Sequence, residues 1–201
     1  MQVGLGQEVE VPTPLGPLLL GAIAEPEGQE STRGIAVTLT VTELPARPAR
    51  DLNADEGAVE GGCAAVWRIE ATAKCDAVQV YAYLPQAGPG SSNNGEHLEA
   101  LAFDREGYQL VLGGYDDDAL GQLVESGELP VHWRGALIPD RWDTAFGARN
   151  YRDSGLCWRL PGLESGDALD IHCAAAWGSN AALDAWFAVD TDPAAIYRTA
   201  R

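Results

Sequence analysis

His97 and Glu99 stand one residue apart in a stretch that reads as a strand, so both side chains leave the same face. Such a pair offers one nitrogen and one carboxylate to a metal, and His172, at a polar position of a later strand, would add a second nitrogen. Two histidines and one carboxylate form a transition-metal set. The remaining histidine, His132, lies beside Trp133 with no acidic neighbour in sequence. Hard oxygen ligands occur twice, in Asp116-Asp117-Asp118 and in Asp190-Thr191-Asp192, and Ca2+ takes six to eight of them. Neither run has EF-hand spacing, and each precedes a predicted helix, where carboxylates cap free N–H groups and balance the dipole. Candidate nucleophiles are weaker still. Ser154 in Arg-Asp-Ser-Gly-Leu and Ser179 in Gly-Ser-Asn are turn serines outside any Gly-x-Ser-x-Gly elbow. The expectation is no catalytic set and no resident cofactor, with Ca2+ or a transition metal as the lesser alternatives.

The aromatic residues carry a stronger signal. Tyr81 and Tyr83 alternate with Val80 and Ala82, so they face away from the apolar side of their strand. Trp186 likewise stands opposite Leu183 and Phe187. Trp142, Phe146 and Tyr151 lie in a polar loop with Arg141, Arg149 and Arg152. Trp, Tyr and Arg dominate protein–protein hot spots. Rings beside amides and carboxylates also suit sugar stacking, and plain covering of a sandwich end is the simplest use of all.

The elements that must position these residues are strands. Trp67, Ile69, Ala71 and Ala73 alternate with polar residues, and after a break near Asp76 the pattern resumes at Val78, Val80, Ala82 and Leu84. Leu169 to Trp177 and then Leu183 to Val189 repeat this around Gly178-Ser179-Asn180. Each stretch reads as a hairpin with one buried face. Residues 34–44 form a strand rich in Val, Ile and Thr, and residues 98–112 form a strand pair around Asp104-Arg105-Glu106-Gly107. The prolines at 12, 14 and 17 place the opening strands at sheet edges. A helix is expected over 116–128 with an Asp cap and Gly127 as its stop, and another over 192–198. Residues 129–138 are read as a strand, and 45–62, 85–95 and 139–155 as loops, with a tight turn at Asn94-Gly95. Ten or so short strands with two helices predict an all-β antiparallel sandwich or jelly roll. One domain over 1–201 is the expected organisation, and two β-domains over 1–85 and 96–201 are the alternative.

The formal charge of −17 over 201 residues repels phosphates and anionic lipid, which excludes nucleic acid as a natural partner. No apolar run approaches membrane-spanning length, and the start lacks a basic region followed by an apolar one. A cytoplasmic protein, or one released without a standard signal peptide, is expected. Cys63, Cys75, Cys157 and Cys173 lack zinc-knuckle or redox spacing. Buried thiols are the expectation, with Cys157–Cys173 the more plausible bridge if one forms.

Three functions follow. The first is a non-enzymatic β-sandwich acting by protein–protein contact, as an assembly subunit or adaptor, with its interface over Arg141, Trp142, Phe146, Arg149, Tyr151 and Arg152 and including Tyr81 and Tyr83. The second is a carbohydrate-binding module with an aromatic platform. The third is a metal-dependent enzyme using His97, Glu99 and His172, which resembles cupins in its single His-x-Glu pair but lacks their further histidine and ordered glycines.

Overall fold

Alternating apolar residues over most of the chain become strands that bury one face in a common interior. The computed structural model describes residues 5–24, 34–46, 59–136, 146–179, 188–189 and 192–200. The strands are β1 (Glu8–Val11), β2 (Leu18–Ala24), β3 (Ile35–Leu44), β4 (Gly61–Ala71), β5 (Val78–Tyr83), β6 (Ser91–Ser92), β7 (Leu98–Arg105), β8 (Tyr108–Tyr115), β9 (Gly147–Asn150), β10 (Gly155–Leu160) and β11 (Ala168–Ser179). Two helices accompany them, α1 (Asp117–Ser126) and α2 (Pro193–Ala200). A five-stranded sheet runs β1-β2-β5-β10-β9 and a six-stranded sheet runs β3-β4-β11-β8-β7-β6, with antiparallel pairing throughout. This is the expected all-β sandwich. Each sheet draws strands from both sides of the 85–95 segment.

The interior is made by the facing sides of both sheets. Leu20, Val80 and Trp158 from one meet Leu39, Trp67, Ile171 and Leu112 from the other. Trp67 and Trp158 bridge the layers with ring centroids 6.0 Å apart, and Trp158 Nε1 donates to the Tyr115 carbonyl at 2.8 Å. Helix α1 stoppers one end. Asp116 caps it by accepting from Ala119 N at 2.8 Å, Gly127 ends it in the left-handed conformation, and Leu120 and Val124 enter the core. Helix α2 lies across the outer face of the six-stranded sheet, over β3, β4, β8 and β11. Ala64, Ala174 and Ala176 on that face are small enough to let Ile196 and Tyr197 dock.

Several expectations are corrected. Residues 67–84 are not a hairpin: β4 and β5 belong to different sheets, so the break near Asp76 carries the chain from one layer to the other. Strand β2 is interior, between β1 and β5, because Pro17 precedes its first residue and removes no ladder bond. Residues 131–133 form a 3-10 turn rather than a strand, and Trp133 is buried against Phe146. The turn read at Asn94-Gly95 spans Gly95 to Leu98, closed by Gly95 N donating to the Leu98 carbonyl at 3.0 Å. The return arm over 183–189 lies outside the described residues except Ala188 and Val189, which are helical and buried. All four cysteines are buried thiols. Cys157 faces out of the five-stranded sheet while Cys173 faces the core from the other, so the two cannot bridge. Burial pushes the Cys63 thiol up to about 12, which leaves it protonated and inert. No helix among the described residues is long and apolar enough to cross a membrane.

Candidate functional site

On the outer face of the five-stranded sheet, Tyr81 and Tyr83 leave β5 on the same side as Leu19 of β2 and Cys157 of β10. The Tyr81 ring lies across the neighbouring strand β2. Gly21 makes room on one side: a Cβ there would fall within contact of the Tyr81 hydroxyl. Gly155 makes room on the other, where a Cβ would collide with Tyr83 Cβ and the Ala82 carbonyl. Glycine inside a strand marks such close approach. The Tyr81 hydroxyl donates to Glu8 Oε1 at 2.9 Å, and burial together with that carboxylate raises its pKa.

The β9–β10 turn then folds over these rings. Tyr151 stacks on Tyr81 with centroids 4.8 Å apart and planes within 17°, and meets Tyr83 edge-on at 5.3 Å. Arg152 places its guanidinium 5.3 Å from the Tyr83 centroid and 5.0 Å from that of Tyr151. Tyr81 and Tyr83 are thereby only 3% and 7% exposed, while Tyr151 is half-buried and Arg152 open to solvent. Arg149 and Arg159 leave the same face of the sheet.

The turn itself is costly. Arg152 and Asp153 have φ of 54° and 59°, the left-handed region that glycine and asparagine occupy cheaply. Aspartate reaches this region through local hydrogen bonds more readily than most residues, so the cost, about 1–2 kcal/mol, falls chiefly on Arg152, which persists there because its surroundings hold it. Those surroundings are identifiable. Asp153 N donates to Asn150 Oδ1 at 3.0 Å, its carbonyl accepts from Gly90 N at 3.0 Å, and Leu84 N donates to the Ser154 carbonyl at 2.9 Å.

Of the residues singled out in the sequence, Tyr81, Tyr83, Tyr151 and Arg152 thus come together, with Arg149 on the same face. Phe146 does not join them. It is fully buried, packed against Trp133 with centroids 5.2 Å apart, so it is a core residue. Arg141 and Trp142, like Trp186, lie outside the described residues. Glu8, Gly21, Gly155 and Asp153 belong to the site and were missed, although glycine within a strand pattern was a usable signal for two of them.

The metal set His97, Glu99 and His172 is not assembled. His97 sits in the turn before β7 at φ 62°, beside Gln122, rather than on the strand. Glu99 accepts from Asn94 Nδ2 at 2.8 Å. It is in register with Gly114 and through it with Cys173, a core-facing residue, so Glu99 and His172 leave opposite faces. His172 lies under α2, between Tyr115 and Tyr197. What does converge is His97 with Asp116 and Asp118, whose ligand atoms lie within 4.8 Å of one another. Asp116 is already committed to capping α1, and Asp117 accepts from Ala148 N at 2.8 Å. Asp192 caps α2, accepting from Ala194 N at 3.0 Å. Of the two serines, Ser154 donates its backbone N–H to the Tyr151 carbonyl, and Ser179 Oγ donates to Glu60 at 2.6 Å. His132 has a partner from afar, Asp167 at 3.7 Å.

No family model, curated protein or solved structure matches the chain.

Proposed function

We propose that this chain is a non-enzymatic β-sandwich that works through protein–protein contact, as a self-assembling subunit, with the Tyr151–Arg152 patch as one side of the contact. The observation that carries the reading is the pair of non-glycine residues held at positive φ in the β9–β10 turn. Strain retained in a turn that Asn-Gly would make cheaply points to a role for the side chain it displays. That side chain is Arg152, spread over two tyrosines and open to solvent. Its complement is a carboxylate-bearing surface. A second copy of a chain carrying −17 offers one, and the contact is then heterologous, giving a ring or a filament.

A sugar platform would need an open ring face, and the stacking of Tyr151 on Tyr81 uses that face. The carbohydrate reading is therefore the less favoured of the two.

Native mass spectrometry and sedimentation velocity test the proposal. The unaltered chain is expected to assemble, and the double substitution Arg152→Asn with Asp153→Gly to leave a folded monomer. A chain that stays monomeric at every concentration, or a double variant that assembles as before, overturns it.

A further inference from the structure

Away from the tyrosine face, the turn before β7, helix α1, the end of β8 and the first turns of α2 enclose a cleft of about 570 Å3. That volume falls within the range of small-molecule sites. One wall is apolar, built from Leu98, Leu123 and Pro193. The charged groups are unequal: among the described lining residues, Glu96, Glu128 and Asp192 face a single guanidinium, that of Arg198. Arg198 Nη2 lies 3.2 Å from Asp192 Oδ2, but the two side chains are 69% and 51% exposed, so this pair contributes little and exchanges readily. Glu128 is held in place by Ser126, whose hydroxyl donates to it at 3.1 Å. The Tyr115 hydroxyl reports the resulting potential. Burial raises its pKa first, Asp192 and Glu128 raise it further, and Arg198 and the Ala194 N–H oppose them.

We propose that this cleft binds a free organic amine, with its ammonium on Glu128 and Asp192 and a short apolar body against Leu98, Leu123 and Pro193. Arg198 is the built-in counter-ion that the ligand displaces. An anion would meet three carboxylates, and a bare metal ion would leave the apolar wall unused. The inference is independent of the assembly reading, since none of its residues belongs to the tyrosine face.

The two acidic and basic partners give opposite predictions, which separates this site from general attraction to an acidic protein. Isothermal titration of the full chain with hexylamine is expected to show saturable one-to-one binding. Hexan-1-ol, the same shape without the charge, and ammonium chloride, the charge without the shape, are expected to show none. Glu128→Gln should weaken hexylamine binding about tenfold, the scale of one charge-assisted hydrogen bond, while Arg198→Gln should tighten it. Glu10→Gln, on β1 of the other sheet, should change nothing. All three positions are surface sites, and matching circular dichroism spectra establish that each variant is folded. Non-saturable uptake, equal binding of the alcohol, or equal effects of Glu128→Gln and Glu10→Gln would overturn the proposal.

Discussion

On the outer face of the six-stranded sheet the covered side chains are mostly small, among them Ala64, Ala100, Ala102, Ala174 and Ala176. On the outer face of the five-stranded sheet they are Tyr81 and Tyr83, with Leu19 and Cys157. The first face is covered by a separate element, α2, which approaches because alanines leave room for it. The second is covered by the turn of one of its own hairpins, and there glycines make the room while rings fill it. A docked helix can lift without disturbing the sheet beneath. Tyr151 and Arg152 cannot leave unless the β9–β10 hairpin distorts. The difference makes the turn over the tyrosine face a rigid mount that displays Arg152, and leaves the alanine face merely closed.

The largest expected effect tests that rigidity. Gly155→Val forces a side chain into the Ala82 backbone and Tyr83, so it should destabilise by about 3 kcal/mol or more, read as a lowered urea midpoint. Ala174→Leu, beneath α2, should cost less, about 2 kcal/mol, because the helix can shift to accept it. Equal losses would erase the distinction between the faces. A smaller effect has the opposite sign. Replacing Arg152 by Asn and Asp153 by Gly relieves chiefly the left-handed arginine and loses the arginine–ring contact, for a net gain of up to about 1 kcal/mol. Destabilisation instead would mean that the turn is retained for packing, and the case for a displayed Arg152 would fall with it.

The smallest effect concerns pH and belongs to the alanine face alone. His172 is 9% exposed beneath α2. Burial lowers its pKa, Arg198 acts in the same direction, and Asp170 and Asp192 act against it. Because the folded pKa lies below the unfolded one, the unfolded chain takes up the proton first. Stability is therefore lost as pH falls below about 6.5. His172→Phe should remove this loss, so the difference in urea midpoint between variant and parent should grow in the variant's favour from pH 7.5 to 5.5. Glu99 and Asp116, whose pKa values burial raises, add stability on acidification, but they are common to both proteins and cancel in the difference. A constant difference would sink the assignment.

Much of this was legible in residue patterns. The β7–β8 hairpin follows from its alternation and the Glu106-Gly107 turn, and α1 from Asp116 at one end and Gly127 at the other. The outward direction of Tyr81 and Tyr83 follows from the period of two. Alternation says which face a side chain takes and nothing about which strand lies alongside, which is why 67–84 read as a hairpin and proved to be a crossing between sheets. Phe146 was misplaced for a related reason: loop residues carry no period, so nothing marked it as the partner of Trp133. The amine cleft was invisible because its walls come from three separate segments, and only their packing brings Glu96, Glu128 and Asp192 to one cavity.

The central strand pairing has a consequence for the order of folding. Strand β4 runs beside β11, and Arg68 reaches Asp170 across 102 residues of sequence. Strand β5 likewise waits for β10. Contacts at such separation form slowly, since a long loop must close before any of them is made. During synthesis, then, Trp67, Ile69, Val78 and Val80 emerge well before the strands that complete their sheets. The nascent chain carries a span of unsatisfied strand edge through about half of its translation, when aggregation is the competing outcome. A chain built this way has reason to be strongly acidic: mutual repulsion between unfinished copies holds their bare edges apart until β11 arrives.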